Sequence, residues 1–141
     1  VAQAKVVTQT GLPMLRALVF HHDDDPVAWT IDDEYYLGTD FLVAPILSSD
    51  GRRNVYLPEG EWVDLWDGVV TAGPVWLRDM EVPRQRIPVF VRVGAAVPVY
   101  PMPVLSTAEM DLSKAEDVVF DSSYTGFGNS VLGRVTGGVI R

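Results

Sequence analysis

Between Asp33 and Arg92 the chain passes through three apolar segments that Gly and Pro keep cutting short, and this punctuation limits what it can fold into. The segments read D-E-Y-Y-L-G-T-D-F-L-V-A-P-I-L from Asp33, R-N-V-Y-L-P-E-G-E-W-V-D-L-W-D-G from Arg53 and R-I-P-V-F-V-R from Arg86. Short runs rich in Val, Phe, Tyr and Trp between such breakers suit strands and leave no room for a long helix. Residues 41–47 form a continuous apolar run in which Pro45 removes a ladder donor, so an edge position or a bulge is expected there. Residues 54–57 lead into Pro58-Glu59-Gly60 and residues 61–66 lead out, which predicts a hairpin with Gly60 at the position that tolerates positive φ. Residues 87–93 supply the third strand. A further short strand is expected over 75–82, with Asp67-Gly68 and Ala72-Gly73-Pro74 as punctuation.

The flanks read differently. Val1, Ala4 and Val7 have helical spacing, and Gly11 and Pro13 end that helix. M-L-R-A-L-V-F over residues 14–20 is nearly all apolar, the pattern of a strand buried on both faces of a parallel sheet. Helix then buried strand makes one αβ unit, which needs partners that this chain does not supply. Asp32 or Asp33 is expected to cap a short helix over 34–37, ended by Gly38. Downstream, residues 99–103 form a Pro-rich exit, 116–120 a strand, and 122–141 a hairpin or a frayed end. The start, V-A-Q-A-K-V-V, has neither an initiator Met nor a signal-peptide layout and is expected to continue a longer reading frame.

Composition narrows the partners. The chain is 48% hydrophobic, enough for a core, and its 11 basic against 19 acidic residues give a net charge of −8. With no basic cluster, nucleic acid and anionic membrane surfaces are excluded as expected partners, while a neutral sugar remains compatible. The absence of Cys removes disulfides and thiolate metal sites. No apolar run approaches the ~18 residues of a membrane-crossing helix.

The three quoted segments, in this order and spacing, resemble glycoside hydrolase family 31, the α-glucosidase and α-xylosidase family. T-G-L-P-M-L-R-A-L from Thr10 is similar to the last helix and eighth strand of that family's barrel, and the resemblance extends to about residue 104. It implies a mainly β chain: an antiparallel β-sandwich preceded by the terminal αβ unit of a (β/α)8 barrel. Residues 1–38 would end the catalytic barrel, 39–103 form the proximal C-terminal β-sandwich, and 104–141 begin a distal region or a disordered tail. The chain's 141 residues are too few for a whole barrel, which needs roughly 200 or more. The implied function is that of a retaining α-glycosidase hydrolysing α-glucosides or α-xylosides without a cofactor. The saccharide would be held by the parent barrel, and the exposed barrel strand would favour self-association.

The chemistry expected of the chain itself is slight. Glycoside hydrolysis needs two carboxyl groups flanking the scissile bond. In the family the nucleophile lies in a Trp-x-Asp-Met-Asn-Glu-like motif; W-L-R-D-M-E over 76–81 misses its Trp-to-Asp spacing by one residue and reads as an amphipathic strand with Arg78 and Asp79 in solvent. No catalytic residue is therefore assigned. The densest titratable cluster, His21-His22-Asp23-Asp24-Asp25, follows the expected barrel strand on the side where barrels carry their active sites. His21, His22 and Asp23 are the candidate substrate-binding residues, against the plainer reading of a polar loop. Adjacent histidines on an extended chain point to opposite faces, so no metal is assigned. The tryptophans and tyrosines are expected to pack, although they also offer stacking surfaces to sugars. Arg16, Arg86 and Arg92 are expected to tie strands to carboxylates. A non-catalytic β-sandwich binding carbohydrate or a protein partner is the alternative function.

Overall fold

The computed structural model describes residues 2–100, 108 and 110–127. Helix α1 (Ala2–Thr10) ends where the Gly11 N–H bonds the Val7 carbonyl at 2.9 Å, with Gly11 at φ 73°. The apolar run after Pro13 does not make a long strand. Only Leu15–Arg16 is extended (β1), and it pairs antiparallel with β2 (Tyr35–Leu37). Arg16 and Leu18 turn inward, while Met14, Leu15 and Phe20 stay exposed. Residues 35–37 are therefore a strand, not the helix expected from Asp32 and Asp33. Strand propensity at Tyr35 and Tyr36 prevails because both neighbours in the sheet are extended.

β2 continues into β3 (Phe41–Val43), which stops before Pro45. β3 also pairs with β6 (Val89–Arg92), so it lies inside the sheet, and Pro45 falls just beyond the ladder it cannot serve. With β4 (Arg52–Asp64) and β5 (Val70–Glu81) the full order is β1-β2-β3-β6-β4-β5, antiparallel throughout.

The expected hairpin at Pro58-Glu59-Gly60 is not a hairpin. β4 runs unbroken through it from Arg52 to Asp64, and its antiparallel partner is β5 (Val70–Glu81), reached by the Asp67-Gly68 turn. The triplet is a bulge: Leu57 faces Val75 and Gly60 faces Gly73, leaving two β4 residues opposite one in β5. The Trp62 indole N–H donates to the Pro58 carbonyl at 2.8 Å and pins the bulge. Gly73 is required there, because a Cβ at that position would stand 1.9 Å from the Pro58 carbonyl oxygen. A second irregularity sits opposite Asn54, whose Oδ1 accepts the Asp79 N–H at 2.9 Å where Asp79 has φ 51°. Arg78 and Asp79 are exposed, as an amphipathic strand requires.

A second sheet pairs β7 (Ala96–Val99) with β8 (Glu116–Val119), as the strand expected over 116–120 anticipates. Period-2 alternation sends successive residues to opposite faces of the large sheet. Trp62 and Phe90 join one core with Leu18, Ala28, Tyr36, Leu42 and Leu57, while Val63 and Val91 join the other with Val118, Phe120 and Tyr124. The β4–β5 turn is tied to the chain after β8 by two glycines: a Cβ on Gly68 would lie 2.4 Å from the Tyr124 carbonyl oxygen, and one on Gly126 would lie 2.5 Å from that of Trp66. The Tyr124 hydroxyl donates to the Leu65 carbonyl at 2.8 Å across the same contact. The fold is mainly β with antiparallel sheets. The expected exit over 101–103 and the tail beyond 127 lie outside the described residues.

Candidate functional site

Extended backbone would separate the two histidines, but the chain bends before it reaches them. Residues Leu18–Phe20 form a 3-10 turn in which the His21 and His22 N–H groups both donate to the Leu18 carbonyl, at 3.0 and 3.2 Å. The bend delivers both imidazoles to one partner, Tyr36 of β2. The His21 ring meets the phenol edge-on at 4.8 Å between centroids, and the His22 ring stacks at 5.9 Å. His22 Nε2 lies 2.8 Å from the Tyr36 hydroxyl. The expectation that the two side chains diverge fails at this turn for that reason.

Cations surround the pair. The Arg16 guanidinium donates through Nη1 to His21 Nε2 at 3.2 Å, so that nitrogen is the acceptor and the ring is neutral. Burial, then Arg16, lowers the His21 pKa; burial, then Arg92 and His21, lowers that of His22. Burial likewise raises the Tyr36 pKa, so its phenol stays protonated. Arg92 stacks over Trp62 at 4.8 Å, and Trp62 packs against Tyr36 at 6.0 Å. Arg16 is itself buried; Nε donates to the Pro13 carbonyl at 2.7 Å, and Nη2 has no hydrogen-bond partner among the described residues. Arg16, Arg86 and Arg92 thus meet rings and an imidazole, with Arg86 lying over Trp66 at 5.1 Å; among the described residues none forms an ion pair, although the Arg86 charge acts to lower the Asp64 pKa.

The three aspartates part company. Asp23 is exposed, and among the described residues only its carbonyl is engaged, by the Trp29 indole N–H at 2.9 Å. Asp24 is exposed as well. Asp25 is drawn into the fold: its carboxylate accepts the Tyr56 hydroxyl at 2.6 Å and the Val27 N–H at 2.8 Å. Burial pushes the Asp25 pKa upward, but the hydrogen bonds from Tyr56, Val27 and Ala28 together hold it below the ordinary value. Among the described residues no group of three or more His, Asp or Glu side chains is arranged to hold a metal ion.

Beside this cluster lies an ion pair that the sequence reading missed. Glu34, whose side chain is fully buried, accepts the Tyr56 N–H at 2.8 Å and Arg53 Nη2 at 3.2 Å. Arg53, 6% exposed, also pairs with the Asp33 carboxylate at 3.1 Å and donates to the Pro45 carbonyl. Burial raises the Glu34 carboxyl to about 7 against the pull of Tyr56 and Arg53. The signal that could have found it is parity: in a strand, Glu34 shares a face with Tyr36. Reading 34–37 as a helix hid this.

Taken together, the residues around Tyr36 and Glu34 hold four segments in register: the turn after β1, β2, the chain following β3, and β4. Their donors and acceptors are mostly engaged with one another, which favours fixing a shape over transforming a ligand.

Comparison with known proteins places the chain among relatives. Residues 11–97 match the glycosyl hydrolase family 31 C-terminal domain. Alpha-glucosidase 2 of Bacillus thermoamyloliquefaciens is 36% identical over 90 residues, covering 63% of this chain and 11% of that protein. The structure of a family 31 dextranase from Flavobacterium johnsoniae complexed with glucose is similar at a TM-score of 0.66 and 33% identity, covering 69% of this chain and 12% of that one. A family 31 α-xylosidase from a soil metagenome, complexed with xylose, gives a TM-score of 0.63 at 43% identity, covering 67% of this chain and 14% of the other. The chain thus spans between 11% and 14% of the length of these three proteins.

Proposed function

The chain belongs to glycosyl hydrolase family 31, and on that premise we propose that it is part of a retaining α-glycosidase hydrolysing α-glucosides or α-xylosides. In this reading residues 1–38 close the catalytic (β/α)8 barrel, residues 39–103 form the β-sandwich beside it, and residue 104 opens a further region. The two catalytic carboxylates belong to the barrel, and this chain supports them structurally. The observation that carries the reading is the internal engagement of the polar cluster: both imidazoles bond within the fold, and Asp25 is held by Tyr56. His21, His22 and Asp23 then border the saccharide, with the exposed Asp23 carboxylate free to accept a sugar hydroxyl and the histidines shaping the wall behind it.

The test is hydrolysis of aryl α-glucosides and α-xylosides by the longer protein, with the product anomer followed by proton NMR. Activity with retention is expected, together with none from the 141-residue chain alone and a raised KM on Asp23→Asn. Inversion, or hydrolysis by the isolated chain, overturns the reading. The free edge of β1, flanked by exposed Met14, Leu15 and Phe20, supports self-association of the isolated chain through that strand. A cooperatively melting monomer in sedimentation would instead favour a free-standing sandwich that binds carbohydrate or a protein partner.

A further inference from the structure

We propose that a second cleft, bounded by residues 30–33, the chain after β3, the start of β4 and Trp76 of β5, binds a neutral saccharide. The ligand class rests on the glycosidase reading, whereas the cleft stands without it. Its volume is about 420 Å³, within the roughly 300–1,000 Å³ typical of small-ligand sites. The residues around Tyr36 do not line it, whereas Asp33 and Arg53 of the neighbouring ion pair do, so it abuts the buried Glu34 and lies apart from the two histidines.

The groups in its wall are those that read a vicinal diol. The Asp32 carboxylate accepts no hydrogen bond among the described residues, which leaves it free to take two hydroxyl protons. Asn54 gives its carbonyl oxygen to the Asp79 N–H, so its amide N–H groups remain to donate. The Trp76 indole N–H also has no partner among the described residues. Its ring is held by Arg78 at 5.1 Å on one face and by Tyr56 at 5.2 Å, which fixes it as a wall. Leu47, 75% exposed, forms an apolar lip suited to the C–H face of a sugar.

Charge selects against an anion. Asp33 is already paired with Arg53, and Arg52 with Asp79 and Glu81 at 2.7 and 3.0 Å. What remains is a set of donors and acceptors with one uncommitted carboxylate, which suits a polyol and repels an anion. The floor is rigid because Arg53 is anchored from behind by the fully buried Glu34, and such backing keeps polar groups in binding geometry. In an assembled glycosidase this site would hold a distant part of the substrate while cleavage proceeds elsewhere.

The experiment is a titration of the ¹⁵N-labelled 141-residue chain with isomaltotriose, observed by NMR. Saturable shifts are expected at the Asn54 side-chain amide and the Trp76 indole N–H, with half-saturation on the order of 1 mM. Asp32→Ala and Trp76→Phe should each weaken binding about tenfold while leaving the rest of the spectrum in place; glucuronate should bind more weakly than glucose. Absence of saturation up to about 50 mM, shifts indifferent to both substitutions, or shifts centred on residues 21–36 would overturn the site. Hydrolysis by the longer protein without titration at the cleft removes this site alone. Titration without hydrolysis removes the glycosidase reading alone.

Discussion

On one face of the large sheet Tyr36, Leu42, Trp62 and Phe90 pack with Leu18 and Ala28; on the other, Val63 and Val91 meet Val118, Phe120 and Tyr124. The first core is bordered by buried charge, Arg16 and Glu34, while the residues of the second carry a single polar side-chain atom, the Tyr124 hydroxyl. Apolar packing is non-directional and tolerates small rearrangements, whereas a buried ion pair is satisfied in one geometry and is costly in others. The first core therefore fixes how the turn after β1, β2 and β4 sit relative to one another. The second holds two sheets together and imposes no such register through charge.

Substitutions can break this contrast. The largest effect is expected from Arg53→Met, which leaves Glu34 without its cation and should cost about 4 kcal/mol in urea denaturation above neutral pH. The loss should shrink at acid pH, where Glu34 accepts a proton instead, and adding Glu34→Gln should recover part of it. Phe120→Ala in the second core should cost about 3 kcal/mol through lost transfer and the cavity left behind. That loss should not change between pH 5 and about 8, and a strong pH dependence would contradict the contrast.

The next prediction follows from Glu34 itself, whose carboxyl is raised from 4.5 to about 7 by burial. The folded protein then binds a proton more tightly than the unfolded chain, so stability falls as pH rises from 4.5 through 7. The gross change is on the order of 3 kcal/mol. His21 and His22, both lowered from 6.5, act in the opposite sense: folding keeps them neutral, and stability falls as pH drops below 6.5. A shallow profile is expected for the wild type. Glu34→Gln should expose the histidine contribution as stability rising toward pH 6.5, measured by midpoint shifts across pH. At neutral pH that substitution should lie within about 1 kcal/mol of wild type, since glutamine still accepts the Tyr56 N–H. Smallest of all is Glu81→Ala, which removes an exposed partner of Arg52 and should leave the denaturation midpoint unmoved.

How much of this was legible varies from element to element. The strands at 41–43 and 89–92, the helix end at Gly11 and the strand at 116–119 follow from local composition, because each rests on alternation, a breaker or a cap acting within a few residues. The site was legible only as a cluster. His21 and His22 were visible as a pair, but their convergence depends on a local 3-10 bend and on Tyr36, a partner 14 residues beyond His22. Glu34 was invisible because the same D-D-E-Y-Y-L-G string offers a helix cap and an inward-facing strand residue, and nothing local chooses between them.

By itself, then, the sequence determined the mainly β character and the lack of disulfides, since these rest on residue types and short-range spacing, and its resemblance to glycoside hydrolase family 31 pointed to the family. The tertiary structure decided that Pro58-Glu59-Gly60 is a bulge within one long strand and that β5 is its partner. A Pro-Glu-Gly triplet satisfies a turn and a bulge equally well over its own length. The choice falls to Gly73, 13 residues beyond Gly60 and opposite it, whose missing side chain lets the two backbones close. Strand pairing is set by the residue across the sheet, and that residue is fixed only once the chain has folded back on itself.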